Sequence, residues 1–321
     1  MRNTDLTKVI FPVELRDVYV DISANDESTP NLRKFTGHKA VVNKDTGTPI
    51  SVVSNGYRLI TNEQAIEYGR QCVKSLFEKV DPKKIHIFNI VTPSTGSYCY
   101  IDMIHEGYEV NIWGKEVYVP FMRISNSYNR TRSLKFLVGF CRKVCDNGLI
   151  FESETVSFNF SHTKESIGGE IHFDVKLGKM RELERTFTSY MEIVKGIPVA
   201  QEQAFPIFCK GMGVNFSINV RDRKIKDAAI EKLVDFRCRV TPLVDKYFSQ
   251  GGANAYYLFN AMTDYASNVP QDDKQGVLQV VSRQRRAGNW LQEISGLYDK
   301  PDFKWNTYLK DYLEYETVGM N

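Results

Sequence analysis

The sequence predicts an α+β protein, with an antiparallel β-meander in the first half followed by a helical second half. Short apolar segments separated by turn residues fill residues 37–170, and strands joined by short turns form an antiparallel meander. Residues 171–300 form the helical region, and within it the apolar positions of residues 177–194 recur every three to four residues, which is the period of an amphipathic helix. The 321 residues, 42% of them hydrophobic, suit one large domain or two modest ones.

The segment of residues 1–36 shows no clear period, and we expect it to be loosely structured. A β-hairpin should follow, because residues 40–42 and 50–53 are apolar and flank a turn-rich stretch. The one helix of the strand-rich region should begin at Thr61, whose hydroxyl can cap it. Gln64 stands three residues later, as in a capping box.

The rest of the strand-rich region contains a series of apolar segments bounded by turns. Strands are expected at residues 85–91, 98–104, 109–113, 116–124, 134–144 and 149–160. Asn147 and Gly148 stand between the last two strands. Asn-Gly is the strongest short hairpin signal, because both central residues of a type I′ turn have positive φ. We therefore predict that these two residues are structural and form the turn.

The second half opens with an amphipathic helix over residues 177–194, ended by Gly196 and Pro198. Its apolar stripe predicts a packed face in a homo-oligomer; the alternative is that the stripe covers the meander of a monomer. Further helices are expected at residues 201–210, 222–248, 254–267 and 274–297. The aromatic tail, residues 301–321, should pack back on the body of the protein.

Composition excludes several classes of protein. The net charge of +3 is too small to identify a nucleic-acid binder, since the local distribution of charge matters more. No apolar run approaches the roughly 18 residues of a membrane span, and residues 1–15 lack a signal-peptide core. We expect a cytoplasmic protein with no membrane partner. The six cysteines are scattered and suggest neither a disulfide framework nor a metal site.

A basic and polar stretch between residues 123 and 143 is the first candidate site. Its cations and amide groups could hold phosphates while an aromatic ring stacks on a base. The alternative is a solvated loop between two strands. The nucleic-acid-binding residues proposed here are Arg123, Asn126, Tyr128, Arg130, Arg132, Lys135, Arg142 and Lys143.

Two further basic groups lie in the helical half. Arg221, Arg223 and Lys224 precede a predicted helix, where cations oppose the helix dipole and a bound anion would offset the cost. The other group is close to Trp290, which could stack with a cation. Its members are Arg283, Arg285 and Arg286. The alternative in both places is ordinary solvated or packed surface.

Polar residues within the predicted helix of residues 254–267 should be structural. Asparagine is unfavourable inside a helix unless its side chain finds a partner. We expect Asn254, Asn260 and Thr263 to hydrogen-bond the strand-rich half to the helical half.

Three segments carry a family resemblance. The first combines Asn126-Ser127, Ser133-Leu134, the strand of residues 136–140 and the Arg-x-Val-Cys-x-Asn-Gly-Leu close at residues 142–149. The other two are residues 56–65 and 254–265. Together they resemble the phage- and plasmid-borne domain-of-unknown-function family 932. The resemblance implies a mobile-element setting and supplies no activity.

We expect a phage- or plasmid-encoded DNA-binding protein that prefers single strands, with annealing or protecting strands as suitable roles in recombination. The layout of a meander followed by a long amphipathic helix is similar to the core of ring-forming single-strand-annealing recombinases. One alternative is an interaction protein that antagonises a host defence protein. Another is a metal-dependent nuclease, although the sequence contains no recognisable catalytic motif and suggests no cofactor.

Overall fold

A computed structural model describes residues 4–23, 30–77, 81–114, 116–143, 147–150, 157–163, 178–216, 227–269, 274–312 and 315. Antiparallel sheets occupy the first half and helices the second, which confirms the predicted α+β class. The chain divides into two compact units. Unit 1 comprises Met1–Tyr108, Pro120–Val138 and Val156–Met180, and unit 2 comprises Glu109–Val119, Gly139–Thr155 and Arg181–Asn321.

A three-stranded antiparallel sheet begins unit 1. Its strands are β1 (Val13–Asp21), β2 (Leu32–Asn43) and β3 (Pro49–Ser54), in the order β1-β2-β3. The β2–β3 hairpin confirms the predicted one. Loose structure was expected for residues 1–36, but strand β1 and the start of β2 occupy much of this segment; residues 1–3 and 24–29 lie outside the described residues. Apolar and polar residues do not alternate regularly along these two strands. The two-residue period that identifies a strand in a sequence is therefore not visible.

Helix α1 (Asn62–Leu76) begins as predicted at a capping box. The Thr61 hydroxyl accepts from the Gln64 backbone N–H at 3.2 Å, and the Gln64 side chain accepts from the Thr61 backbone N–H at 3.0 Å. Gly69 lies where α1 meets the larger sheet. A Cβ there would stand 2.4 Å from Cδ1 of Ile124, so this contact requires glycine.

Within the described residues the larger sheet has seven strands, namely β4 (Ile85–Val91), β5 (Tyr98–His105), β6 (Val110–Trp113), β7 (Glu116–Ser127), β8 (Leu134–Arg142), β9 (Asn147–Leu149) and β10 (Ser157–Phe160). The order is β10-β8-β7-β5-β4, with β6 on β7 and β9 on β8. Neighbouring strands of this sheet pair antiparallel in the described ranges, as a meander requires. Strands β7 and β8 contribute residues to both units.

The helices are α2 (Lys179–Lys195), α3 (Gln201–Gly211), α4 (Asp227–Gly251), α5 (Ala255–Ser267), α6 (Lys274–Tyr298) and the short α7 (Trp305–Tyr308). Helix α5 is buried along most of its length and contacts α3, α4, α6 and β9. The aromatic tail packs back as expected: Arg237 donates to the Tyr315 carbonyl at 2.6 Å, and Tyr315 is buried.

The apolar stripe of α2 is buried within the chain. Phe187 stacks on Phe140 with ring centroids 4.1 Å apart and contacts Tyr118 edge to face at 5.0 Å. Met191 and Val194 are also buried. The stripe therefore covers sheet residues, and the expectation that it forms a face between subunits is wrong.

No helix in the described ranges is long and apolar enough to cross a membrane.

Candidate nucleic-acid interface

The basic stretch between residues 123 and 143 separates into buried and exposed groups. Arg123, Asn126, Tyr128 and Arg142 are at most 5% exposed. The first two belong to strand β7 and Arg142 ends strand β8, so they do not form an accessible loop. The prediction that these four residues contact nucleic acid is therefore wrong, because their polar groups are engaged inside the protein.

Arg123 forms a buried ion pair with Asp102 on the neighbouring strand β5. Both bonds of the pair, Nε to Oδ1 and Nη2 to Oδ2, are 2.5 Å long. Asn89 donates to the same carboxylate at 3.1 Å. A buried charge needs such a partner, because the cost of desolvating an ion is several kcal/mol. Arg123 is thus a structural residue of unit 1.

Asn126 and Tyr128 anchor the start of helix α1. The Asn126 amide donates to Oδ1 of Asn62 at 2.8 Å and to the Ile60 carbonyl at 3.0 Å. The Tyr128 hydroxyl accepts from the Asn62 backbone N–H at 3.0 Å. This contact satisfies one of the unpaired N–H groups of the first helical turn. The ring of Tyr128 is consequently not available for stacking on a base.

Arg142 is a structural residue of unit 2. Its guanidinium donates two hydrogen bonds to Glu116, of 2.8 and 2.7 Å, and the Tyr256 hydroxyl donates to the same carboxylate at 2.8 Å. Burial would raise the pKa of Glu116, but the bonds from Arg142 and Tyr256 together outweigh it and hold the pKa below its usual value. Lys143 is exposed and pairs with Glu109 at 2.5 Å.

Asn147 and Gly148 do not form the predicted type I′ turn. They lie on strand β9, where Asn147 pairs with Arg142 and Gly148 with Cys141. The Asn147 amide donates to the Tyr247 hydroxyl at 3.0 Å, and the Gly148 N–H donates to the Ser267 hydroxyl at 3.0 Å. Both residues are structural, as predicted, but through contacts with helices α4 and α5 rather than through a turn.

Asp264 completes a polar network that the sequence did not indicate. Its carboxylate accepts from Lys246 at 2.7 Å, from the Tyr247 hydroxyl at 2.9 Å and from Asn268 at 2.8 Å. Burial would raise the pKa of Asp264, but these donors together hold it below its usual value. The Asn268 amide also reaches Asn147 at 3.0 Å.

In the part of the chain that the structure describes, the side chains of the three polar residues predicted to bridge the two halves form hydrogen bonds only within the α5 segment. Asn254 caps helix α5, Asn260 donates to the Tyr256 carbonyl, and Thr263 donates to the Asn260 carbonyl. The expected bonds to the strands come instead from Ser267, the last residue of the predicted helix, and from Asn268, which follows it. The segment was identified correctly, and the residues within it were not.

We use the name Arg132 surface for the exposed arginines of the basic stretch and the two tyrosines that Arg132 contacts; its members are Tyr98, Tyr100, Arg130 and Arg132. The Arg132 guanidinium lies 5.1 Å from the centroid of the Tyr98 ring. Its Nε donates to the Tyr100 hydroxyl at 2.7 Å, and its Nη1 donates to the Thr131 carbonyl at 2.7 Å. Both arginines are exposed and both tyrosines are half-buried.

The loop that carries these arginines is held by its own hydrogen bonds. The Ser127 hydroxyl donates to the Arg132 carbonyl at 2.6 Å and accepts from the Arg132 N–H at 3.1 Å. The Asn129 side chain accepts from the Thr131 N–H and hydroxyl. Arg130 has a φ of 62°, which costs a non-glycine residue roughly 1–2 kcal/mol. Such strain occurs often at binding sites.

Other predicted basic residues are not part of this surface. Lys135 is half-buried on β8, opposite Asn159 of β10. In unit 2, Arg283 lies 4.8 Å from the centroid of the Tyr265 ring, and Arg286 donates to the Met212 carbonyl at 2.8 Å. Arg285 is half-buried on the same helix. Arg221, Arg223 and Lys224 lie outside the described residues.

The sequence reasoning missed Tyr98 and Tyr100 as members of the surface. Their alternation on β5 was visible, but nothing local indicated that Arg132, more than 30 residues later, would reach them.

In the described ranges, no three His, Cys, Asp or Glu side chains come together to hold a metal ion.

Comparison with known proteins gives one result. A family model described as "Domain of unknown function (DUF932)" matches residues 49–290, which is more than half of the chain. This match confirms the resemblance read from the three sequence segments. No curated protein and no solved structure matches the chain.

Proposed function

The chain belongs to the DUF932 family, whose description names no activity, and we propose that the protein binds single-stranded DNA through the Arg132 surface. The observation that carries the proposal is the position of the exposed Arg132 beside two half-buried tyrosines in unit 1, with the exposed Arg130 two residues earlier in the same loop. Neither arginine forms an ion pair with a carboxylate in the described ranges. Their charge therefore remains available to an anion.

The side chains of this surface match the two components of a nucleotide. Arginine presents a planar set of donors that suits phosphate oxygens. Aromatic faces stack on bases of any sequence, and each such contact contributes about 1–3 kcal/mol to single-strand binding. In a duplex the bases are stacked on each other and cannot reach Tyr98 or Tyr100, so the arrangement favours single strands.

The loop geometry supports the same proposal. Hydrogen bonds from Ser127 and Asn129 already order the backbone around Arg130 and Arg132. Ordering a loop or a long side chain at the moment of binding lowers affinity, by about 0.5–1.5 kcal/mol for each immobilised side chain. A preformed loop avoids part of this cost. Contacts with phosphates and ring faces do not depend on base sequence. This independence suits a protein that anneals or protects strands in a phage or plasmid setting.

The test is a fluorescence anisotropy titration of a labelled oligothymidine with the full chain and two double variants. R130A/R132A removes both exposed arginines and should weaken binding at least tenfold. K83A/K84A is the matched control, since it removes two exposed positive charges elsewhere in unit 1. The K83A/K84A variant should bind the oligothymidine with an affinity within about twofold of the wild type. Salt largely screens the attraction between exposed charges that are more than a Debye length apart. Equal affinity of R130A/R132A and wild type would refute the proposal.

A further inference from the structure

Helix α6 of unit 2 contains a long basic segment that no acidic residue interrupts. Between Lys274 and Gln292 the sequence has four basic residues and no Asp or Glu. Polar side chains recur on this helix every three or four residues, and this spacing places them on one side of it. Arg283 is half-buried and the other four are exposed. We call the group the α6 polar face, and its members are Gln279, Ser282, Arg283, Arg286 and Asn289.

Arg283 is held in place by groups other than carboxylates. Its guanidinium lies 4.8 Å from the centroid of the Tyr265 ring on helix α5. Its Nη2 donates to the Gln279 side-chain oxygen at 3.0 Å, one turn earlier on α6. These contacts restrict the side chain of Arg283 and leave its positive charge in place.

Arg286 is ordered in a similar way at the end of helix α3. Its Nη1 donates to the Met212 carbonyl at 2.8 Å. The guanidinium lies against the turn that follows, since a Cβ on Gly213 would stand 3.3 Å from Cζ and from Nε of Arg286. A guanidinium has five N–H donors. The bond to Met212 therefore leaves donors of Arg286 available to a ligand on the exposed side.

The charges of these two arginines are not neutralised by the protein. Neither Arg283 nor Arg286 forms an ion pair with a carboxylate in the described ranges, whereas Arg123 and Arg142 both do. Side chains three residues apart on a helix are neighbours, about 5–6 Å apart, and like charges at such a spacing are destabilising. No acid stands three or four residues from either arginine to offset the repulsion. A bound anion that contacts both would offset it.

We propose that the α6 polar face binds the backbone phosphates of DNA, as a contact separate from the Arg132 surface of unit 1. Arg, Ser, Asn and Gln are among the side chains that contact DNA phosphates. In the described part of α6 no large apolar side chain is exposed, although a protein interface needs an apolar core and a membrane-surface helix an apolar face. The face has no aromatic member to stack on a base. The contact should therefore serve single strands and duplexes alike.

The test compares the salt dependence of DNA binding by the full wild-type chain and by R283Q/R286Q, with an oligothymidine and with a duplex of equal length. The slope of log affinity against log salt should become shallower by about 1.4 for the single strand and by about 1.8 for the duplex. Each phosphate contact contributes about 0.7 to the first slope and about 0.9 to the second.

K300Q/K304Q is the matched control, because it removes two exposed positive charges that follow α6 in unit 2. Helix α6 extends about 22 Å from Arg283 to its last residue, Tyr298, and the Debye length at physiological salt is about 8 Å. Both slopes of the control should equal those of the wild type.

R286Q removes the bond to the Met212 carbonyl, so R283Q is also measured alone and should make the single-strand slope shallower by about 0.7. Circular dichroism of each variant must first match the wild type. Unchanged slopes in folded R283Q, an equal change in the control, or a wild type that binds no duplex would overturn the proposal. Unchanged slopes with weaker binding to phosphatidylserine vesicles would assign the face to a membrane and overturn it too. The proposal for the Arg132 surface stands or falls separately, because R130A/R132A alters other residues.

Discussion

Charged side chains of this protein that lie in the interior occur with partners of opposite charge. Arg123 and Asp102 are both almost fully buried, and Arg142 is buried against the largely buried Glu116. A buried ion without a partner carries a large desolvation cost. Each pair therefore stabilises the fold mainly because neither charge is left unpaired in the interior. The exposed Arg130 and Arg132 form no buried ion pair in the described ranges. This difference distinguishes the structural arginines from the candidate binding residues.

We predict that R123M destabilises the protein by about 3–5 kcal/mol, because Asp102 would remain buried without its counter-charge. The free energy of unfolding, measured by urea denaturation, checks this. The double variant D102L/R123M removes both charges and should recover most of the loss, since well-packed apolar residues can replace a buried pair. Wild-type stability of R123M would contradict the buried pair.

We also predict that stability falls as the medium is acidified below about pH 5. The pKa values of Glu116 and Asp264 are lower in the folded protein than the usual 4 or so of an unfolded carboxyl. Stability from such groups is fully present above the unfolded pKa and is lost as pH falls through the folded pKa. Urea titrations from pH 7 to pH 3 should show the decline. E116Q/D264N should be less stable at pH 7 and decline less steeply; an equally steep decline would refute this assignment.

The sequence placed some candidate residues correctly at the surface and misassigned others, and the difference has one physical cause. Arg130 and Arg132 were correctly placed in an exposed loop, since their surroundings are local. Arg123 was misassigned because its partner, Asp102, stands 21 residues away on a neighbouring strand. Arg142 was misassigned because Glu116 stands 26 residues away. Pairing across a sheet depends on register, which residue types alone do not reveal.

At the scale of elements, close packing of helix α1 on strands β5 and β7 depends on one glycine. We predict that G69A lowers the free energy of unfolding by about 1–3 kcal/mol, because its Cβ would overlap Ile124 and crowd Met103. G296A is the matched control in helix α6, where a Cβ meets nothing within 4 Å. It should be neutral or stabilising by up to about 1 kcal/mol, since alanine favours helix. Equal effects of the two variants would show that the contact is wrong.

Elements with strong local signals were predicted well. Helix α1 was found from its capping box, helix α2 from its periodicity, and helices α4, α5 and α6 from the turn residues that separate them. Strand β1 was missed, because both faces of its outer part are exposed and carry no alternation of apolar and polar residues. The Asn-Gly dipeptide indicated a turn, but buried hydrogen bonds to Tyr247 and Ser267 place it on a strand instead.

At the scale of the whole molecule, the structural polar network and the Arg132 surface lie in different units. Unit 2 contains the network of Glu116, Arg142, Asn147 and Asp264, which is structural. Unit 1 contains the Arg132 surface proposed to bind single strands. The segments that carry the family resemblance supply much of the structural network, and the match to the DUF932 model is therefore informative about fold rather than about chemistry.

The most direct test of the central claim is the salt dependence of DNA binding by the wild-type chain. If Arg130 and Arg132 each neutralise one phosphate of a single strand, the plot of log affinity against log salt should have a slope of about −1.4 or steeper. Affinity for an oligothymidine should also exceed affinity for a duplex of equal length at every salt concentration. A slope near zero, or tighter binding to the duplex, would contradict the account.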